Sequence, residues 1–346
     1  MKILYASEQY GPHDQRFLAT IYEFGHQAVF WCAQPGQVNI DSLPPNVELA
    51  AGPLLAAIRN HQPDLVHAGP LHTCAHQAAK SGFRPLVAMS WGSDILYTAK
   101  RNPFARQRVR TTLAAADVLV ADCQAVADAA ARFGFPSQRT VQFPWGVDLA
   151  RFHPGADDGS LRRRLGWQDT FVVLHLRSWE PLYGSETVLR AFLELAPAHP
   201  RLRLLMPGGG SLASRFQKLI ARSGLAERIH LPGYLSQAEL PAYYRAADLY
   251  VSASRSDGSS VSLMEALASG LPAAVSDIPS NREWVQQGWV FPVGSPAGVA
   301  SAIRSAMNSQ DLVQMAQHAR RTAEQRADWS RNKLGLQNAY EMAVNS

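Results

Sequence analysis

The chain has 346 residues, of which 47% are hydrophobic and 18% are charged, and its formal net charge is +5. This length fits two domains of ordinary size, and this composition excludes an intrinsically disordered protein. The positive charge indicates a mild preference for anionic partners. Nucleic acid is not an expected partner, because the sequence contains no recognised nucleic-acid-binding module.

Short apolar runs rich in β-branched residues alternate with helical patterns along nearly the whole chain. The runs in the first half are Ile3–Ala6, Ala28–Cys32, Leu65–Ala68, Leu86–Met89 and Val118–Ala121. Those in the second half are Phe171–Leu176, Leu202–Met206, Ile229–Leu231, Leu249–Ser252 and Ala273–Ser276. Helical patterns such as Glu186–Leu195 and Gln237–Ala247 lie between them. Strands that are apolar on both faces predict parallel sheets covered by helices.

The number of runs decides between two architectures of this class. A single barrel of eight strand–helix units is the alternative, but ten or more strands are too many for it. We therefore expect an α/β protein with two doubly wound, Rossmann-like domains whose strand ends can face each other across a cleft. The Pro- and Gly-punctuated segment 143–160 predicts the join, with domains at 1–146 and 147–328. A terminal helix at 329–346 is expected to pack back on the first domain.

The location of the protein is predicted from its beginning and its cysteines. The start, MKILYASEQY, is typical of a buried strand and lacks the cleavage region of a signal peptide. No apolar stretch is long enough for a spanning helix. Cys32, Cys74 and Cys123 are scattered without a CxxC pair, which favours a reducing compartment. The cytoplasm is the expected location.

Basic residues are concentrated in one short stretch of the first half. Within it, Lys100, Arg101, Arg106, Arg108 and Arg110 stand without an acidic residue among them. Two interpretations remain open, a solvated helix face and a contact with an anionic surface. In the second case the protein would rest on an anionic membrane or bind an acidic acceptor.

The segment 252–272, SASRSDGSSVSLMEALASGLP, carries the most chemical information. It reads as a strand end, a polar loop and a helix that begins near Ser260 and that Ser259 or Ser260 can cap. Free amides at such a helix start favour a phosphate or a sugar oxygen. The carboxylates of Asp257 and Glu265 can accept hydrogen bonds from vicinal hydroxyls. The alternative is that Asp257 only caps the helix and Glu265 lies on the surface.

This segment resembles the signature of the GT4-type retaining glycosyltransferases, in which two glutamates with seven residues between them precede a Gly-Leu-Pro. The likeness covers nearly the whole chain and keeps the family's order. The other matching segments are 67–68, 91–94, 144–154, 206–210 and 276–283. The resemblance implies the GT-B fold and transfer of a hexose-type sugar from a nucleotide-diphosphate sugar to an acceptor hydroxyl.

The family also implies roles on the donor side. By resemblance, Glu265 holds the ribose hydroxyls, Asp257 with the following amides holds the donor sugar, and Arg177 faces the diphosphate. The remaining donor-side residues that the resemblance implies are Gly258, Ser259, Ser260, Val261, Gly208 in the glycine turn, and Glu283 in the loop that borders the pocket.

On the acceptor side, the matching residues lie in the first half of the chain. Gly92 and Asp94 stand where the family's N-terminal domain approaches the sugar, and Trp91 precedes them. His13 and Asp14 are candidates to orient the acceptor, although a loop cap is an alternative role for Asp14. His67, a lone histidine at a strand end, is expected to be a core residue. The acceptor is a glycan, a lipid-linked glycan or a small molecule.

Several positions depart from the family pattern. The first glutamate is Asp257, which is one methylene shorter, and Tyr183 stands where a basic residue usually precedes Gly184. The segment 177–184 is one residue longer than usual. The first-loop glycine pair is replaced by His13 and Asp14, and Trp91 occupies a position often held by His. These departures indicate a distinct subgroup.

The sequence also bears on mechanism. No Asp-x-Asp pair ends a strand and no His/Cys cluster has metal-ligand spacing, so neither a metal nor a cofactor is expected. A cation and helix-terminal amides can stabilise the leaving group instead. Retention of configuration is the family expectation, with the leaving phosphate taking the acceptor proton. Two alternatives stay open: a catalytically silent GT-B glycan- or nucleotide-binding relative, and a GT-B enzyme of another reaction, such as a sugar-nucleotide epimerase or a phosphorylase.

Overall fold

The computed structural model describes residues 1–38, 42–155 and 160–346. Within these ranges the chain forms two compact units. The first comprises Met1–Trp145 and Ser330–Ser346, and the second comprises Gly146–Trp329. Residues 156–159, in the polar stretch where we placed the join, lie outside the described residues.

The first unit is built on a parallel sheet of seven strands in the order β3-β2-β1-β4-β5-β6-β7. The strands are β1 Lys2–Ser7, β2 Gln27–Cys32, β3 Val47–Ala50, β4 Leu65–Ala68, β5 Leu86–Met89, β6 Val118–Ala121 and β7 Thr140–Gln142. The helices are α1 Pro12–Glu23, α2 Leu54–His61, α3 Cys74–Ser81, α4 Ala99–Arg101, α5 Pro103–Ala115 and α6 Gln124–Arg132, with a π-helical turn at Asp94–Thr98.

The second unit repeats this plan with six parallel strands in the order β10-β9-β8-β11-β12-β13. The strands are β8 Phe171–Leu174, β9 Leu202–Leu205, β10 Ile229–His230, β11 Leu249–Ser252, β12 Ala273–Ser276 and β13 Trp289–Phe291. The helices are α7 Ser160–Leu165, α8 Ser185–Leu195, α9 Ala213–Ser223, α10 Leu240–Arg245, α11 Val261–Ala268, α12 Pro279–Trp284, α13 Pro296–Met307 and α14 Leu312–Arg326.

The last two helices return the chain to the first unit. They are α15 Trp329–Asn332 and α16 Leu334–Val344, and α16 packs against β4 to β7. Tyr340 of α16 is fully buried, and its hydroxyl lies 2.9 Å from Nδ1 of His67. Burial lowers the pKa of His67 to about 3, so this ring stays neutral. His67 is thus the core residue that we expected.

All ten apolar runs read from the sequence form strands, which confirms two doubly wound parallel sheets. Central strands are buried on both faces: β4, β5, β6, β11 and β12 show no exposed position, which explains their continuous apolar runs. The sequence missed β3, β7 and β13, and all three are edge strands. An edge strand packs against a neighbour on one side only, so its apolar signal is weaker.

One helix begins later than predicted. The pattern Gln237–Ala247 indicated a single helix, but α10 begins at Leu240. Glu239 accepts hydrogen bonds from the backbone N–H of Ser236 at 2.8 Å and from its hydroxyl at 2.6 Å. These bonds hold a turn ahead of the helix, and Pro241 favours a helix start at this place because it lacks the N–H that a helix interior requires.

Each sheet changes direction at one point in its strand order. In the first unit the change lies between β1 and β4, and in the second it lies between β8 and β11. Ligands of doubly wound sheets bind outside the carboxyl ends of the strands at such a point. In the second unit, a ligand site is therefore expected at the loops that follow β8 and β11.

Candidate functional site

The residues that we singled out in the second half of the sequence meet where the strand order of the second sheet changes direction, between β8 and β11. Arg177 follows the end of β8 by three residues, and the loop from Ala253 to Ser260 follows β11. The two strands are parallel neighbours, with Leu174 paired to Tyr250. Because their carboxyl ends lie side by side, the two loops come together even though about eighty residues separate them.

The side chain of Arg177 is held by polar groups of the second loop. Its Nη2 lies 2.6 Å from Oδ2 of Asp257, and its Nη1 donates to Oγ of Ser260 at 2.7 Å. A longer bond of 3.4 Å joins Nη1 to Oγ of Ser262. The guanidinium carbon stands 4.2 Å from the centre of the Tyr183 ring. One cation is therefore fixed by a carboxylate, a hydroxyl and an aromatic face.

Burial and charge act in opposite directions on this pair. Desolvation is the largest single influence on Arg177 and lowers its pKa, but Asp257 and three nearby tyrosines together raise it, so the pKa lies above its ordinary value. Burial raises the pKa of Asp257, although Arg177 and the Gly258 amide act to lower it. Their side chains are only 12% and 16% exposed, so this pair is screened less than a surface pair.

The helix that follows the loop begins one residue after Ser260. Ser260 occupies the N-cap position of α11, but its hydroxyl accepts from Arg177 and caps no amide of the helix. The hydroxyl of Ser259 accepts from the indole of Trp284 at 3.2 Å. The expectation of a side-chain cap was therefore wrong for Ser260, because its hydroxyl is bonded to Arg177. Gly258, Ser259 and Ser260 are buried, and Val261 is half-buried.

Glu265 lies on α11 and is only 4% exposed, which rules out a surface position. Its Oε2 accepts a hydrogen bond of 2.7 Å from the Tyr244 hydroxyl, which also donates to the Ser262 carbonyl at 3.1 Å. Beside it, the Tyr250 hydroxyl lies 2.7 Å from Oγ of Ser262. Asp257 does not cap the helix either, because its carboxylate pairs with Arg177. Both alternatives that we kept for these two carboxylates are therefore wrong.

The glycine turn Gly208–Gly210 lies after β9, close to the backbone of the Arg177 loop. Gly208 has φ of +126°, and a Cβ there would stand 2.9 Å from the Arg177 carbonyl. Gly210 has φ of +152°, and a Cβ would come within 2.7 Å of the Trp179 carbonyl. A side chain at either position would push the Arg177 loop away, so these glycines permit its close approach.

Glu283 lies on α12, a short helix beside the signature loop. Its backbone carbonyl accepts from Arg326 of α14, and its side chain is half-buried. The same helix is tied to the loop, because the Ser280 hydroxyl donates to the Asp257 carbonyl at 3.0 Å. Glu283 therefore borders the loop that holds the predicted donor residues.

The predicted acceptor-side residues follow β1 and β5 of the first unit. His13 and Trp91 pack edge to face, with ring centres 5.8 Å apart. Asp14 is buried and accepts from the Gly11 amide at 2.9 Å and from the Tyr5 hydroxyl at 3.0 Å. The structure thus supports the loop-cap alternative for Asp14, which fixes the start of α1.

The carboxylate of Asp94 is also occupied within the protein. It is 1% exposed and accepts from the Leu71 amide at 2.8 Å, the Ser90 hydroxyl at 2.6 Å and the Ile95 amide at 2.9 Å. Gly92 has φ of +78° and its amide donates to the same serine hydroxyl at 3.1 Å. Asp94 therefore holds two loops together, and its predicted part on the sugar side stays a prediction.

The basic stretch spans α4 and the exposed face of α5. Its five cations, Lys100, Arg101, Arg106, Arg108 and Arg110, are all exposed. Phe104 lies among them with 80% of its surface exposed. A single exposed apolar side chain does not by itself mark a contact surface, so both interpretations of the basic stretch stay open.

Sequence analysis missed part of what surrounds Arg177. Tyr183 was treated only as a missing cation, yet its ring covers the guanidinium. Sequence analysis assigned no role to Tyr244 or Tyr250, whose hydroxyls bond to Glu265 and Ser262. The available signal was that both tyrosines lie in predicted buried elements, where a hydroxyl needs a partner.

No group of three or more His, Cys, Asp or Glu side chains lies close enough to hold a metal ion in the described ranges. In the same part of the chain, no helix is both long and apolar enough to cross a membrane.

Two family models match the chain in succession. Residues 16–151 match Glycosyltransferase Family 4, and residues 157–326 match Glycosyl transferases group 1. The chain belongs to the GT4-like glycosyltransferases. The second match contains Arg177, Asp257, Glu265 and Glu283.

Relatives of this GT4-like chain act on different substrates. It is 31% identical over 225 residues to a D-inositol 3-phosphate glycosyltransferase of Geodermatophilus obscurus, covering 61% of this chain and 49% of that protein. It is 29% identical over 178 residues to the mannosylfructose-phosphate synthase of Agrobacterium fabrum, covering 49% of this chain and 37% of that protein. These matches span about half or less of the length of the relatives.

Solved structures show that the GT4-like chain has the GT-B fold. Anabaena HepE in complex with UDP-glucose superimposes with a TM-score of 0.83 at 22% identity, covering 100% of both chains. Sucrose-phosphate synthase of Thermosynechococcus elongatus gives a TM-score of 0.81 at 18% identity, covering 99% of this chain and 98% of the other.

Proposed function

We propose that this protein is a retaining glycosyltransferase that moves a hexose-type sugar from a nucleotide-diphosphate sugar to an acceptor hydroxyl. The observation that carries the proposal is the buried, charged guanidinium of Arg177, held at the switch point of the second sheet beside the start of α11. The paired N–H groups of a guanidinium and the free amides at a helix N-terminus both bind phosphate oxygens, so together they can bind a diphosphate. Glu265 is proposed to hold the ribose hydroxyls.

The proposed chemistry needs no protein nucleophile. As the bond from the anomeric carbon to the phosphate oxygen breaks, negative charge grows on the leaving diphosphate. Arg177 and the first amides of α11 stabilise this charge more strongly in the transition state than in the bound donor. The acceptor hydroxyl attacks the anomeric carbon from the same face, and the leaving phosphate oxygen takes its proton. Configuration is thereby retained.

Metal independence is part of the proposal. The support is the charge of Arg177: its side chain is only 12% exposed, yet Asp257 and the nearby tyrosines together keep its pKa above the ordinary value. A fixed cation at this place supplies the neutralisation that a divalent ion supplies in other transferases. No cofactor beyond the sugar nucleotide is proposed.

The acceptor is proposed to bind the first unit at the loops after β1 and β5. The support is the His13–Trp91 ring pair, since aromatic rings offer flat faces to sugars and the histidine adds a polar edge. Glycans, lipid-linked glycans and small molecules all remain candidate acceptors. The names of the relatives, one acting on an inositol phosphate, make a phosphorylated polyol one of the compounds to test.

A peripheral contact with an anionic membrane is a second part of the proposal. The support is Phe104, exposed among five cations on α4 and α5. Each such cation near a charged leaflet contributes roughly 1 kcal/mol, and an inserted ring adds apolar burial. The cytoplasm, or its membrane face, is the proposed location.

The deciding experiment is a two-step screen with the full chain. Thermal unfolding is first followed with UDP, GDP and ADP and with their hexose conjugates, and a bound donor should raise Tm. The donor that stabilises is then incubated with candidate acceptors, and products are analysed by mass spectrometry and by the NMR coupling of the anomeric proton. Stabilisation without any hydrolysis or transfer would instead favour a silent nucleotide-binding relative. An inverted product would overturn the retaining mechanism.

A further inference from the structure

The guanidinium carbon of Arg177 lies over the face of the Tyr183 ring. The guanidinium carbon lies 4.2 Å from the ring centre, within the distance at which a cation and an aromatic face attract each other. The Tyr183 phenol is no anion, because burial raises its pKa above the ordinary value. The contact therefore joins a cation to a neutral ring.

The ring itself is held in place by the backbone that carries it. Tyr183 ends the 3-10 turn Pro181–Tyr183, and the carbonyl of Leu182 accepts from the Arg255 amide at 2.8 Å. Gly184 follows with φ of +64°, and a Cβ there would overlap the Ala253 carbonyl. The turn thus rests directly on the loop after β11, which fixes the main-chain position from which the Tyr183 ring projects.

Arg177 is enclosed from two directions as a result. Asp257 and Ser260 hold its Nη atoms, and the guanidinium carbon lies over the Tyr183 ring. The two polar contacts alone leave the guanidinium free to tilt about the line through its Nη atoms. The ring restricts this tilt, because the attraction between an arginine and an aromatic face depends on how the two are placed.

We propose that Tyr183 is a positioning residue that orients the Arg177 guanidinium for the donor diphosphate. This proposal rests on the proposed function of Arg177. The ring does not touch the reacting atoms and brings no charge of its own. It keeps the fork of Arg177 in one plane before the donor arrives, so that less orientational freedom is lost when the phosphate oxygens bind.

The proposal separates the ring from the hydroxyl of Tyr183. Tyr183→Phe keeps the aromatic ring and loses only the hydroxyl. Tyr183→Leu replaces the ring with an aliphatic side chain that is also apolar. Removing a partly buried cation–π contact should weaken nucleoside diphosphate binding roughly tenfold, whereas the Phe variant should stay within about twofold of the wild type. Arg177 stabilises the charge that grows on the leaving group during the reaction. In Tyr183→Leu we therefore expect kcat to fall and KM to rise.

The experiment measures calorimetric Kd for UDP, GDP and ADP, and kcat and KM for the donor that binds. The matched control is Tyr97→Leu, because the Tyr97 ring also lies under an arginine, 4.0 Å from the guanidinium carbon of Arg101 in the first unit. That variant should bind nucleotide like the wild type. Tyr183→Leu is also made in the Arg177→Ala background, where it should change Kd by less than about twofold, since its partner is gone.

Each outcome decides a separate question. If the wild type binds none of the three nucleotides, the proposed function fails and the role of Tyr183 falls with it. If the wild type binds and Tyr183→Leu binds equally well, only the positioning role is overturned. The positioning role is also overturned if Tyr183→Leu weakens nucleotide binding equally in the wild type and in the Arg177→Ala variant, because the ring would then act independently of Arg177. Circular dichroism checks folding, and Tyr183→Met replaces Tyr183→Leu if the latter unfolds.

Discussion

Replacing Arg177 by alanine removes the one buried cation of the candidate donor site among the described residues. In the wild type its Nη atoms bond to Asp257 at 2.6 Å and to Ser260 at 2.7 Å. With donor bound, the same fork would also neutralise the diphosphate. Charge-assisted hydrogen bonds contribute about 1.5–3 kcal/mol each, and those to the leaving group strengthen as its charge grows.

The expected loss follows from these magnitudes. Losing about 2.7 kcal/mol of transition-state stabilisation lowers kcat/KM by at least about a hundredfold, at ~1.4 kcal/mol per decade. Both kcat and nucleotide affinity should fall. Arg177→Lys should recover part of the loss, because it keeps the charge but not the fork. The assay is the initial rate of nucleoside diphosphate release at varied donor concentration.

The matched control is Arg255→Ala, in the same loop and two residues before Asp257. Arg255 is exposed, so its removal should cost far less. Tyr183→Phe should also cost far less, since it removes a hydroxyl and keeps the ring. The reasoning is refuted if Arg177→Ala stays within about tenfold of the wild type while Arg255→Ala loses more, and Arg255 would then be the diphosphate cation.

Four further results are expected. Glu265→Gln should raise donor KM and weaken nucleoside diphosphate binding by about 1–3 kcal/mol while acceptor KM stays constant, and unchanged donor constants would exclude Glu265 as the ribose anchor. Turnover should survive EDTA; activity abolished by EDTA and restored by Mn²⁺ would contradict the metal-independent mechanism. Flotation with anionic liposomes should fall in an Arg106/Arg108/Arg110→Gln variant, and equal flotation of the two proteins would leave only the solvated face. Arg177→Ala should lower Tm more at about pH 7 than at about pH 4. Burial already raises the pKa of Asp257 while Arg177 acts to lower it, so removing Arg177 raises this pKa further. A carboxyl whose folded pKa lies above its unfolded value stabilises the fold at low pH, and that stabilisation is lost as pH rises through the folded pKa.

The agreement at the central strands has a plain physical origin. Strands such as Leu65–Ala68, Leu86–Met89 and Val118–Ala121 match the structure residue for residue. They are buried on both faces, so nearly every position is apolar, His67 being the exception, and the runs stand out in the sequence. Edge strands such as β3 and β7 pair with only one neighbouring strand and carry a weaker apolar pattern, so the sequence did not predict them.

For the candidate site, the sequence determined which segments matter. The spacing of Asp257 and Glu265, the resemblance to the family and the position of Arg177 after a strand all came from the order of residues. It also limited the fold to two doubly wound sheets, because strand–helix alternation with buried runs admits few other arrangements.

Only the tertiary structure decided what these side chains contact. Asp257 pairs with Arg177 and Ser260 accepts from the same cation, although about eighty residues separate them from it. Sequence spacing reports neighbours along one strand or helix, whereas contacts between loops depend on which strands are adjacent in the sheet. Here β8 and β11 lie side by side at the switch point, and that adjacency brings the carboxylate and the serine hydroxyl to the segment that carries both Arg177 and the Tyr183 ring.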